Sequence, residues 1–164
     1  MPRQKHETKP GGSAEDANDP AAAQVPAPPP AGGMRGLITQ GWISIAAWMT
    51  IGLLLEGLLA YRAPGYLEDS QRRELFRLAH AHGALLGVLL LVAAWCAERF
   101  GDPGRIALLA LRTGALLMPL GFFLAGLHHP EGDPGIAIWL SPPGAVLVIF
   151  AAVSMALASR SSRQ

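Results

Sequence analysis

Four histidines and one glutamate are the residues of this sequence best suited to bind a metal, a haem or a proton. His80 and His82 lie at the start of the second of four long apolar runs, and His128 and His129 follow the third. Runs that cross a bilayer alternate in direction, so all four histidines should lie on one membrane side, together with Glu56 near the end of the first run. Imidazoles bind transition metals and haem iron. The spacing therefore leaves two interpretations: a site on that side for a metal, a haem or a proton, with His80 as main ligand and Glu56 and His128 as further candidates, or ordinary interface residues.

His80 and His82 point to different faces of a helix, because two residues turn the chain by about 200°. The His80 face carries mostly small residues, including Gly83 and Gly87, whereas the His82 face is rich in leucine. Small residues let helices approach closely in membranes. We expect His80 to face the bundle interior, as a ligand or as a packed, hydrogen-bonded histidine. His82 should face headgroups or a second packing surface. For a metal, the candidates are His80, His82, His128 and His129.

The remaining polar residues also have structural alternatives. Glu56 could be a neutral carboxyl group that bonds across helices. His128 and His129 could complete a helix end, where the helix dipole favours cations. Arg112 lies inside the third run, where it could reach back to the headgroups or pair with Glu98.

Four apolar runs must position these residues. The chain has 164 residues, of which 51% are hydrophobic and 15% charged, and its mean hydropathy is +0.30. Soluble domains carry about 25% charged residues, so lipid must cover much of this surface. Each run is close to the roughly 20 residues that a helix needs to cross the hydrocarbon core. The sequence predicts an all-α fold, a polytopic membrane protein whose domain over residues 34–164 is a four-helix transmembrane bundle. Its spans are expected at residues 37–61, 75–97, 106–127 and 142–159.

Local residue patterns predict how these spans begin and end. Residues 1–33 are rich in Pro, Ala and Gly, and we expect a disordered N-terminal tail there. Asp69 or Ser70 could cap a helix that leads into the second span. Ser141 suits an N-cap and Pro142 the first position of the fourth helix. Pro119 should kink the third span.

Charge and cysteine content restrict the partners and the compartment. The net charge of +1 gives no electrostatic footprint for nucleic acid. A single cysteine, Cys96, excludes an intramolecular disulfide and a cysteine-based metal cage.

Arginine far outnumbers lysine, which is typical of a GC-rich bacterial genome, so we expect a multi-pass protein of the inner membrane. Near the spans, five arginines lie on the membrane side of the two termini and four on the opposite side. Because cytoplasmic loops carry more arginine and lysine, this small excess favours cytoplasmic N- and C-termini. The expected partners are the lipid bilayer and either other subunits of a membrane complex or a second copy.

The segment FRLAHAHGALLG at residues 76–87 resembles the second transmembrane helix of haem–copper oxidase subunit I. The cbb3-type subunit and related small membrane proteins are the most similar. In that family a histidine seven residues before a glycine is an axial ligand of haem b, and His80 and Gly87 have that spacing. The similarity covers about residues 40–100. It implies a haem b at His80, although the family's copper ligands and second haem ligand have no counterpart here. The sixth ligand would come from His128, from His129 or from a partner protein, or the iron would have none.

Three functions are compatible with these patterns. The first is a structural or accessory subunit of a membrane complex, possessing no chemistry of its own, and this one we favour. The second is a b-type haem or metal protein that transfers electrons through His80. The third is a carrier of protons or a small solute, for which Pro119 and the break at residues 141–144 would be the broken helices. No enzymatic activity is expected.

Overall fold

The computed structural model describes residues 31–128, 130 and 133–161. Within these residues the fold is all-α, with no strand, and the prediction of a four-helix transmembrane bundle is confirmed. Four helical segments are long and apolar enough to cross a membrane. The elements are α1 (Ala31–Ala60), α2 (Pro64–Leu67), α3 (Ser70–Phe100), α4 (Arg105–Leu127), a 3₁₀ helix (Ile136–Leu140) and α5 (Ser141–Ser161).

The first two membrane helices are longer than the apolar runs that predicted them. α1 begins at Ala31, inside the expected tail, and residues 1–30 of that tail lie outside the described residues. α3 has 31 residues, which correspond to about 46 Å of helix. Because a hydrocarbon core is only about 30 Å thick, α3 must tilt or extend beyond it. Asp69 caps α3, as predicted, since its carboxylate accepts a hydrogen bond of 2.8 Å from the Arg72 backbone N–H.

The membrane helices pack in the order α1, α3, α4, α5, each against the next. Within the described part of the chain, no Cα atom of α1 lies within 8 Å of one in α5, so the bundle is open on that side. In the most apolar window of α1 and of α5 only 17% of residues are buried, against 39% in α3 and in α4. The two outer helices therefore leave most of their surface to lipid or to another protein.

α1 and α3 approach closely because small residues line their contact. A Cβ atom on Gly87 would lie 3.0 Å from the backbone oxygen of Gly41. One turn away, Gly83 packs against the Trp48 indole, and the buried hydroxyl of Ser44 donates to the Gly83 carbonyl at 3.0 Å. The expectation that the Gly83 and Gly87 face of α3 lies in the interior is confirmed.

The start of α5 differs from the expected one. Ser141 already has helical angles, φ −70° and ψ −45°, because the 3₁₀ helix runs directly into α5. Its hydroxyl does not cap the helix but donates to the Met118 carbonyl of α4 at 3.1 Å. Gly121 allows this contact, since a Cβ atom there would lie 2.9 Å from the Ser141 nitrogen. The prediction that Ser141 is the N-cap of a helix beginning at Pro142 is therefore wrong. Pro119 is buried within α4, which is helical from end to end.

Candidate functional site

His80 lies in the contact between α3 and α1, with its ring against Gly52. Its Nδ1 is 2.6 Å from the backbone oxygen of Trp48. Because a carbonyl oxygen can only accept, Nδ1 must carry a proton, and in the neutral ring Nε2 then carries the lone pair. A Cβ atom on Gly52 would lie 2.6 Å from Nδ1, so only glycine leaves room for the ring. α1 thus fixes both the tautomer and the orientation of this imidazole.

A small depression lies beside His80, between α1 and the first turns of α3. Its volume is about 210 Å³, and Glu56, Tyr66 and Arg77 also line it. Glu56 is exposed, Tyr66 is buried in α2, and Arg77 lies 3.7 Å from the carboxylate of Glu74. Within the described residues, His80 Nε2 has no hydrogen-bond partner. The structure therefore brings His80 and Glu56 together around one depression, as their depths in the sequence suggested.

His82 lies on a different face of α3 and contacts a different helix. Its Nδ1 is 2.8 Å from the Leu78 carbonyl of its own helix. Its ring centroid is 5.2 Å from that of Phe122 in α4, and the two ring planes are inclined by 34°. Of the two surroundings expected for His82, the second packing surface is the one observed.

His128, which follows α4, does not line this depression. His128 is the exposed C-cap residue of α4, and its backbone N–H donates to the Leu124 carbonyl. His129 lies outside the described residues. Among the residues that are described, no group of three or more His, Cys, Asp or Glu side chains could hold a metal ion. A role for His128 or His129 as a ligand stays a prediction.

Arg112 is held by α1 and points toward the membrane side where α4 begins. Its Nε donates to Gln40 Oε1 at 2.9 Å, and Gln40 Nε2 donates to the Arg112 carbonyl at 2.8 Å. The guanidinium lies over Gly36, where a Cβ atom would be 3.0 Å from Nη1. Gly36 is one turn, about 6 Å, nearer that membrane side than Gln40. The side chain therefore points in the direction that the expected reach to the headgroups requires, and that reach stays a prediction. The alternative pairing with Glu98 is wrong, because Gln40 occupies this position.

Trp48 and Gly52 of α1, which contact His80, are the site residues that sequence reasoning missed. Trp48, Gly52 and Glu56 follow one another at intervals of four, so they share one face of the helix. A glycine between an aromatic residue and a carboxylate on one helix face indicates room for a ring from a neighbouring helix. This pattern could have been found in the sequence of α1. Tyr66 gave no such indication, since its burial depends on how the link between α1 and α3 folds back.

The geometry defines the chemistry that this site can perform. A free Nε2 lone pair can accept a hydrogen bond or a proton, or bind one metal ion as a single ligand. The depression is smaller than the roughly 300–1,000 Å³ of typical cofactor sites. A haem at His80 would therefore require α1 and α3 to move apart. Transport of protons or a small solute stays a prediction.

Comparisons of this chain with protein-family models, with curated proteins and with solved structures find no match. The function of this protein must therefore be inferred from the arrangement of its helices and from the residues described above.

Proposed function

We propose that this protein is an accessory subunit of a membrane complex, embedded in a bacterial inner membrane. The observation that carries this proposal is the open order of the helices, in which α1 packs on α3 and leaves its other side uncovered. That side is strongly apolar, and Leu53 in its centre is 71% exposed. Lipid alone could cover the apolar part. Glu56 on the same helix is exposed as well, and a carboxylate at this depth is stabilised by a protein partner that offers a hydrogen-bond donor.

The partner on α1 is a different protein rather than a second copy. Two copies related by a twofold axis along the membrane normal place identical residues at the same depth. Such a dimer through α1 would bring two Glu56 side chains to one level, where two ionised carboxylates would repel each other. A different subunit can present an arginine, a lysine or a hydroxyl group to Glu56.

Site-specific photo-crosslinking in living cells tests this proposal. A photoreactive phenylalanine analogue replaces Leu53 on α1, and a matched control carries it at Val153 on α5, which is 54% exposed. We expect one crosslinked product of defined mass from position 53 and none from position 153. The product should disappear in Glu56→Ala and persist in Glu68→Ala, which removes an exposed acid outside the span. Crosslinks only between two copies, or no protein crosslink at either position, would overturn the proposal.

We further propose that both termini lie in the cytoplasm. The support is the small excess of arginines near the spans on the side where α1 and α4 begin. On this orientation His80 and Glu56 face the periplasm. Fusions of alkaline phosphatase and of a fluorescent protein to the C-terminus test it. Active phosphatase with no fluorescence would place the C-terminus in the periplasm and overturn this orientation.

A second candidate function is electron transfer through a metal or haem b at His80. One observation favours it: metal-binding histidines usually donate their other ring N–H to a backbone carbonyl or a carboxylate, as His80 does to Trp48. The resemblance of residues 76–87 to a haem-binding helix of haem–copper oxidases supports the same proposal.

A visible difference spectrum of the purified protein separates the two functions. The spectrum of the reduced minus the oxidised protein should show a b-type band if His80 binds haem. The band should vanish in His80→Ala and persist in His82→Ala, whose ring lies on another face of α3. No band in the wild-type protein, together with no metal by elemental analysis, would exclude this function.

A further inference from the structure

Arg112 carries a charge inside a membrane span, and no carboxylate among the described residues balances it. Its backbone lies seven residues from Arg105, which is about 10 Å along α4. Within the described residues, no Asp or Glu side chain forms a salt bridge with it. The bond to Gln40 uses Nε, and no acceptor among those residues binds Nη1 or Nη2. A charge in this position is costly unless an anion or water accompanies it.

A depression of about 450 Å³ opens beside this guanidinium at the start of α4. Two of its lining residues are cationic, Arg105 at the rim and Arg112 within. The first turn of α4 has no side-chain cap, so its free N–H groups add positive potential at the same end. The remaining lining is apolar or glycine: Gly33, Ile106, Leu108 and Leu109.

We propose that this depression binds the phosphodiester group of an anionic phospholipid from the surrounding bilayer. A guanidinium donates two parallel hydrogen bonds to phosphate oxygens, and the Gln40 contact holds Arg112 in one orientation for this. Arg112 reaches toward the membrane side where α4 begins, and lipid phosphates lie at the border of the hydrocarbon core.

The apolar lining points to a lipid rather than to free phosphate. Ile106 is 76% exposed and Leu109 is 63% exposed beside the two arginines. Inorganic phosphate would leave these side chains without a partner. The acyl chains of a phospholipid would cover them while its phosphate contacts Arg112.

Native mass spectrometry of the full chain, purified in detergent, tests the proposal. The probes are phosphatidylglycerol, which is anionic, and phosphatidylcholine with the same acyl chains, which is zwitterionic. We expect phosphatidylglycerol to bind about tenfold more tightly, because an arginine in such a site favours an anionic lipid. Arg112→Gln should remove that preference. Arg99→Gln, an exposed arginine on the same membrane side that does not line the depression, should keep it.

A second variant keeps the test valid if Arg112→Gln does not fold. Leu109→Trp narrows the depression at an exposed position and leaves both arginines in place, so it should also lower the affinity for phosphatidylglycerol. Equal binding of the two lipids by the wild-type protein would overturn the proposal, as would an equal loss in Arg99→Gln. Displacement of the lipid by millimolar inorganic phosphate would assign the site to free phosphate and overturn the choice of lipid.

Discussion

Gly87→Ala tests the close approach of α1 and α3. A Cβ atom at this position would lie 2.8 Å from Ile45 Cγ1, 3.0 Å from the Gly41 oxygen and 3.1 Å from the Ile45 nitrogen. Two of these three atoms belong to the backbone, so α1 itself must shift to admit the methyl group. Overpacking of this kind costs about 1–3 kcal/mol. The higher helix propensity of alanine offsets about 1 kcal/mol of that cost.

Gly57→Ala is the matched control, because a Cβ atom there meets no heavy atom within 4 Å. Both variants gain helix propensity, so the difference between them measures packing alone. We expect Gly87→Ala to have a free energy of unfolding about 1–3 kcal/mol below that of Gly57→Ala. Reversible unfolding in detergent micelles of increasing SDS content measures it, with tryptophan fluorescence as the probe. Equal free energies of unfolding for the two variants would refute the close approach at Gly87.

Three further substitutions test hydrogen-bonded contacts between helices by the same unfolding assay. Ser44→Ala removes the bond to the Gly83 carbonyl and should lower the free energy of unfolding by about 0.6–1.7 kcal/mol. Ser154→Ala is its control and should change little, because that hydroxyl bonds within its own helix. Gln40→Leu should cost about 1–3 kcal/mol, since it leaves the Arg112 guanidinium without its partner, and unchanged stability would contradict the paired contact. Ser141→Ala should cost about 0.5–1.5 kcal/mol through loss of the bond to α4; a stabilised variant would show that this bond contributes nothing.

Hydropathy and small-residue spacing were sufficient to predict most of the fold. The spans followed from apolar runs, because a helix is the simplest structure that satisfies its own backbone in lipid. The inward face of α3 followed from Gly83 and Gly87, since small residues mark close helix contacts. The cap at Asp69 followed from local chemistry, because the residue bonds to a backbone N–H only three positions away.

Contacts between helices were predicted less well, because they depend on which helices become neighbours. Short links indicated that consecutive helices pack together, but not that α1 and α5 would stay apart. Glu98 was a reasonable partner for Arg112 by charge, yet Gln40 of α1 lies where the guanidinium points. The prediction of Ser141 as an N-cap was wrong because it also depended on the neighbouring elements. The 3₁₀ helix before it already extends the backbone, and the hydroxyl is free to bond to α4.

α1 joins the two polar sites of this protein and fixes their positions relative to each other. Near one end Gln40 orients Arg112, and toward the other the Trp48 carbonyl orients His80. The glycine contacts between α1 and α3 lie between these points, and a slide of one turn would shift α1 by about 5.4 Å. Such a slide would break both hydrogen-bond sets at once, because neither side chain could follow it. Each polar contact therefore favours the same register of α1 as the glycine contacts do.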